Sequence, residues 1–240
     1  MRVLVTNVTQ YAGPGIVDVL RRGTDEVLCH DHSFAAPDAR ASYAQEKPGV
    51  QVLGATTPEA IHAEVTQRWG ELDAVVSNDV YPITRQDIEN MSLDDLRATF
   101  EAVLVFPVRL IQLFLPAMKA RRAGSIVFIT SARELRPEPG FAVPTTIRAG
   151  ATAFAKALAK EAAPFGIQVN VVAPNYLYSE MYYPRAKFVD DPVGRDQIAR
   201  TVPFGRLGEP EEVGELVAFL ASGRSQFTTG QVVYFSGGWP

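Results

Sequence analysis

Cys29 is the single cysteine in 240 residues, so no disulfide can close within the chain and the fold does not depend on oxidation. Three histidines and four methionines are too few for a dedicated multi-histidine metal site. Basic residues are slightly outnumbered, 23 Lys+Arg against 27 Asp+Glu, for a formal net charge of -4. The basic stripe or arm of a nucleic-acid binder is missing. The short clusters at 21–22, 119–122 and 195–206 read as helix ends or solvated faces. A long apolar run at the start is missing too. Met1-Arg2 leads into Val3-Leu4-Val5, then Thr6 and Asn7, far short of a signal-peptide core or a membrane span. These absences predict a soluble, cytoplasmic protein with no metal, no nucleic-acid partner and no membrane partner.

What is present is ordinary globular composition, 47% hydrophobic and 21% charged. A chain of this length buries roughly 70–75% of its unfolded surface, enough for one unstapled domain. Short Val- and Ile-rich runs at 3–5, 26–29, 50–53, 74–77, 125–130, 167–172 and 231–235 alternate with helical patterns at 14–22, 37–46, 58–69, 93–121, 145–163 and 210–220. Several runs lack polar alternation and read as strands buried on both faces. The order predicts a single-domain α/β fold, Rossmann-like and doubly wound, with a parallel seven-stranded sheet and helices on both faces. No repeat or linker divides residues 1–240. The segment 174–208 breaks the rhythm and holds four of the eight tyrosines. Ligands in open α/β sheets bind beyond the carboxyl ends of strands, so this segment reads as a substrate wall, or as a surface loop whose tyrosines serve packing or subunit contact.

The whole chain resembles the short-chain dehydrogenase/reductase family. Gly205-Arg206-Leu207-Gly208-Glu209-Pro210, Phe219-Leu220-Ala221-Ser222, and Thr229-Gly230-Gln231-Val232 through Gly237-Gly238 look like its closing helix and last strand. Gly124-Ser125-Ile126-Val127-Phe128-Ile129-Thr130-Ser131 looks like its fifth strand and catalytic serine. The cofactor machinery departs from it. The family's Thr-Gly-x-x-x-Gly-x-Gly turn is Thr6-Asn7-Val8-Thr9-Gln10-Tyr11-Ala12-Gly13, with only the last glycine kept. Those glycines bring backbone close to a pyrophosphate, and Tyr11 obstructs that path. Asp31 stands where a ribose-binding acid would, or caps a turn. The family's Asn-Ala-Gly is Ser77-Asn78-Asp79, and no asparagine falls between Asn90 and Asn170. In the family's Tyr-x-x-x-Lys pair, the lysine position is Arg148, which cannot shuttle a proton but lowers a neighbour's pKa.

These losses together resemble one subgroup, the halohydrin dehalogenases, as do Thr6 to Tyr11 to Gly13, Cys29-His30-Asp31 and Pro174-Asn175-Tyr176-Leu177. The resemblance implies cofactor-free closure of vicinal haloalcohols to epoxides with halide release, and epoxide opening by small anions. It implies Ser131 as the residue that holds the substrate oxygen and Arg148 as the activating cation. Tyr11, Pro174, Asn175, Tyr176, Leu177 and Tyr183 would line the halide end. Asp79 would pair with Arg148, relay protons to solvent, or simply hold a turn. A homotetramer is expected by analogy, built on the long apolar helices. The subgroup's tyrosine is absent: thirteen residues beyond Ser131 and four before Arg148 stands Pro144, and no tyrosine occurs between Tyr81 and Tyr176. Proline has no proton to exchange. The base is then missing, is Asp79 through a water, or is a tyrosine from 176–183. The competing expectations are a non-catalytic relative and a divergent NAD(P)-dependent oxidoreductase.

Overall fold

Runs rich in β-branched residues form the strands, and each places alternate side chains on opposite faces. A computed structural model describes residues 1–23, 26–82 and 85–240. Seven strands form one sheet: β1 (Arg2–Val5), β2 (Glu26–Cys29), β3 (Gln51–Val52), β4 (Ala74–Ser77), β5 (Gly124–Ile129), β6 (Ile167–Pro174) and β7 (Val232–Phe235). Their order is β3-β2-β1-β4-β5-β6-β7, and every pairing is parallel. The order reverses between β1 and β4, which opens a crevice beyond their carboxyl ends.

Leu4, Leu28, Val75, Ile126 and Phe128 face one helical layer and are fully buried. That layer is α3 (Pro58–Trp69), α5 (Phe106–Arg121) and α6 (Ala142–Ala162). Val3, Val5, Val27, Val76 and Val127 face the other layer, where α1 (Gly13–Leu20) and α8 (Pro210–Ala221) sit. These two helices approach so closely that a Cβ on Gly15 would stand 2.0 Å from the Pro210 carbonyl oxygen. The remaining helices are α2 (Pro37–Glu46), α4 (Leu93–Phe100) and α7 (Pro192–Thr201).

Four details differ from the sequence reading. The third strand is two residues long, not four, because it is an edge strand paired only with β2. The helix expected over 93–121 is not uniform: a π-helical turn, Glu101–Val105, joins α4 to α5. Helix α6 starts at Ala142, not at 145, so Pro144 is its third residue. Proline is tolerated there because first-turn N–H groups have no helical partner. The segment 174–208 is not all loop, since Asp191 caps α7 by accepting from Val193 N and Gly194 N.

The run Leu93–Arg121 is apolar enough to cross a membrane by length and composition. In the fold its face of Phe106, Leu110, Ile111, Phe114 and Met118 is buried on the sheet, while Leu93 and Phe100 remain exposed.

Candidate functional site

Tyr11, Ser131, Pro144, Arg148, Pro174, Asn175, Tyr176, Leu177 and Tyr183 line one cavity beyond the carboxyl ends of the strands. It encloses about 740 Å³ of empty space, counting its open mouth. Nine of the ten positions singled out in sequence as site residues or as the missing tyrosine thus converge from four separate chain segments. The exception is Asp79.

The β1–α1 turn forms the first wall. Asn7 and Tyr11 both adopt left-handed backbone, with φ of 47° and 54°. Such a conformation costs a non-glycine residue roughly 1–2 kcal/mol. Asn78 offsets the strain, because its Nδ2 donates to both the Asn7 and Gln10 carbonyls at 2.9 Å. The one retained glycine has a steric reason: a Cβ on Gly13 would lie 2.6 Å from Asn7 O. The Tyr11 ring meets Tyr182 edge to face, with centroids 5.3 Å apart. Burial raises the Tyr11 pKa above the usual phenol value, and the charge of Arg148 only partly opposes that.

A nicotinamide cofactor, which the fold family implies, fits these residues poorly. Asp31 accepts four hydrogen bonds, from Thr9 N and Oγ1 at 3.1 and 2.6 Å and from Ser33 N and Oγ at 3.0 and 2.7 Å. Those bonds outweigh the effect of burial and hold its carboxyl below the usual range. No acceptor capacity is left for ribose hydroxyls, so the capping role is the one the fold uses. Tyr11 replaces the glycine that would let backbone reach a pyrophosphate.

The second wall comes from β5 and α6. Ser131 caps a one-turn helix, Ala132–Leu135, and its Oγ accepts from Arg133 N at 3.2 Å. Its hydroxyl hydrogen remains free to donate. Arg148 lies one helical turn beyond Pro144, on the same face of α6. It is buried, and its Nη1 donates to Ile129 O at 2.8 Å. Among the described residues no carboxylate pairs with it. Asp79 stands behind the wall, where its carboxylate accepts from Ser77 Oγ at 2.6 Å and from Asn7 Nδ2 at 2.8 Å. Burial raises its pKa, while the Ser77 and Thr6 hydrogen bonds and the field of Arg148 act in the opposite sense. Direct pairing of Asp79 with Arg148, one of the sequence alternatives, is therefore not formed.

The third wall follows β6. Asn175 N donates to Phe235 O at 3.0 Å, and Gly208 N donates to Tyr176 O at 2.9 Å, which pins the turn. Tyr176 is left-handed, with φ of 54°. Asn175 Oδ1 accepts from Tyr176 N at 3.0 Å and from Tyr183 Oη at 3.3 Å. The backbone N–H is an obligate donor, so it fixes which end of the amide is oxygen. The other end, Nδ2, is buried and has no partner. A buried amide donor left unpaired costs about 1–3 kcal/mol, and an anion would relieve it. Tyr176 packs on Tyr183 at 5.4 Å and on Trp239 at 5.5 Å.

Sequence reasoning missed Tyr81, Arg133, Phe141, Thr145 and Tyr182, which also line the cavity. The position of Arg133, two residues past Ser131, was the signal available for it.

A family model described as enoyl-(acyl carrier protein) reductase matches residues 25–240. The 3-oxoacyl-[acyl-carrier-protein] reductase of Vibrio cholerae is 30% identical over 239 residues, covering 98% of this chain and 95% of its own. Among solved structures, a halohydrin dehalogenase bound to ethyl (2S)-oxiran-2-ylacetate is 34% identical. It superposes with a TM-score of 0.96 over 100% of this chain and 97% of that one. A structure described as a dehalogenation enzyme is 36% identical, with a TM-score of 0.95 over 100% and 98%.

Proposed function

The chain belongs to the short-chain dehydrogenase/reductase superfamily, and within it we propose that it interconverts vicinal haloalcohols and epoxides without a nicotinamide cofactor. The observation that carries this reading is Tyr11. It lines one cavity with Ser131, Arg148 and Asn175, at a position the dinucleotide-binding turn gives to glycine. The likeness to two dehalogenase structures supports it.

The chemistry has three parts. Ser131 holds the substrate oxygen through its free hydroxyl hydrogen. Arg148, unpaired in a buried setting, favours the alkoxide over the alcohol. The alkoxide oxygen attacks the neighbouring carbon, a C–O bond forms, the C–halogen bond breaks, and its electron pair leaves with the halide. The halide meets the unpaired Asn175 Nδ2 and the aromatic edges of Tyr11, Tyr176 and Tyr183, walled by Pro174 and Leu177. Fixed donors of this kind stabilise developing charge without reorganising. Run backwards, a small anion opens the epoxide.

Pro144 stands where a phenol base would, so the hydroxyl proton goes to water or hydroxide through the open mouth. Tyr11 and Tyr183 are both held neutral by burial. Asp79 does not line the cavity, so it acts on Arg148 only through its field. The missing base reduces the rate about 10²–10⁴-fold and makes activity climb with pH.

We further propose a soluble, cytoplasmic homotetramer. The unburied Leu93 and Phe100 continue an apolar helix whose other face is already covered, as a subunit contact requires.

The test is chloride release from 1,3-dichloro-2-propanol at pH 7–10, beside a titration with NADH. Release that falls in Ser131→Ala and Arg148→Met, with no NADH binding, is expected. Micromolar NADH binding without halide release would instead favour a reductase, the activity its curated relatives carry.

A further inference from the structure

The reaction just described uses one arginine, and the cavity holds two. Arg133 and Arg148 both line it, and among the described residues no aspartate or glutamate does. Arg133 leaves the one-turn helix right after Ser131, and its side chain is only 18% exposed. Its guanidinium, planar by delocalisation, lies over the Phe141 ring at 4.1 Å, which holds the fork in place. Its Nε is buried and makes no hydrogen bond. The carboxylate that approaches it, Glu138 at 3.8 Å, is beyond hydrogen-bond reach and 39% exposed. A surface partner of that kind is screened by water and leaves the cation largely uncompensated.

We propose that the substrate of this cavity carries a carboxylate, which Arg133 holds beside the carbon pair that Ser131 and Arg148 address. This rests on the haloalcohol–epoxide reading above. A neutral haloalcohol gives Arg148 its alkoxide and Asn175 its halide, and leaves Arg133 buried with a vacant donor. A carboxylate fills that vacancy, and a guanidinium fork matches it in two parallel hydrogen bonds. The aromatic stack fixes the fork before binding, so little side-chain freedom is lost. Near the mouth, Arg85 lies 5.9 Å from the Phe141 ring centroid, and Arg133 and Arg136 act on Tyr176 through their charge against the opposite field of Glu138. Arg133 and Ser131 are two residues apart on one tight turn, so hydroxyl and carboxylate are a few bonds apart in the substrate.

The deciding experiment compares 4-chloro-3-hydroxybutanoate with its methyl ester, which differs mainly by the charge. The wild-type protein is expected to favour the acid in kcat/KM about 10- to 100-fold, the span of one charge-assisted hydrogen bond. Arg133→Gln brings the ratio near one, and Arg133→Lys retains part of it. Calorimetry with 3-hydroxybutanoate, which has no leaving group, is expected to show binding to wild type and none to Arg133→Gln. An ester rate equal to or above the acid rate in wild type overturns the carboxylate site, as does a ratio that Arg133→Gln leaves unmoved. If neither chloride is released but 3-hydroxybutanoate binds through Arg133, the dehalogenation reading falls and the carboxylate site stands. If the ester turns over and 3-hydroxybutanoate does not bind, the carboxylate site falls alone. Should Arg133→Gln fail to fold, the wild-type ratio and Arg133→Lys decide.

Discussion

Replacing Pro144 by tyrosine would supply the one group the proposed chemistry lacks. Position 144 is the third residue of α6, lines the cavity, and shares a helix face with Arg148. A phenol there would sit in the field of a buried guanidinium with no carboxylate partner among the described residues, which lowers its pKa. A positioned base contributes about 10²–10⁴-fold, or about 2.7–5.4 kcal/mol of barrier. The structural cost is small. The N–H that tyrosine restores falls in the first helical turn, where no helical acceptor is missed. Loss of proline's stiffness costs about 0.4–1 kcal/mol. The assay is chloride release from 1,3-dichloro-2-propanol between pH 6 and 10, with Tm as the folding control. Wild-type activity should climb through that range, whereas Pro144→Tyr should be 10²-fold or more faster at pH 7–8 and level off. Adding Arg148→Met should move the inflection to higher pH. A folded Pro144→Tyr that stays within threefold of wild type at every pH would refute both the placement of the substrate hydroxyl and the role given to Arg148.

Two further outcomes follow from buried groups with open valences. Asn175→Ala removes the unpaired Nδ2 together with the acceptor for Tyr176 N and Tyr183 Oη, so bromide should bind about tenfold or more weakly, as read by quenching of intrinsic fluorescence. His30 is fully buried, neither ring nitrogen has a partner, and it stacks on Phe106 at 5.5 Å. Burial first, then the charge of His32, pushes its pKa down to about 3. The unfolded chain therefore binds one more proton than the folded one between that value and about 6.5. Stability is lost as pH falls through this window, by about 1.4 kcal/mol per unit. His30→Leu should flatten denaturant-derived stability against pH by that slope, and an unchanged slope would place the acid sensitivity elsewhere.

The strands and most helices were legible because a doubly covered sheet leaves unbroken apolar runs such as Ile126–Ile129 and Val171–Ala173 in the chain. Ser131, Asn175 and the Tyr11 turn were legible for a related reason. Each follows a strand directly, and a parallel sheet gathers all such positions along one edge. Helix α7 was missed although Asp191-Pro192 marks its start, because the tyrosines before it drew the segment toward a loop reading. Asp79 could not be decided from sequence. Its partners Asn7 and Ser77 meet it only when β1 and β4 become neighbours. Arg133 stayed hidden for a different reason. Its significance lies in one buried Nε that makes no hydrogen bond, and an open donor on a single atom leaves no trace in residue spacing.

The π-helical turn at Glu101–Val105 acts as a phase adjuster. Successive residues of an α-helix are rotated by about 100°, and a π turn accommodates roughly one residue more than an α turn. Thr99 ahead of it and Val103 within it face the cavity, while Leu110 and Phe114 face the sheet after it. A one-residue deletion within the turn would restore a regular helix and rotate one set away from its target by about a quarter of a turn. The cavity wall and the core are thereby geared together, and the length of this helix is fixed to the residue.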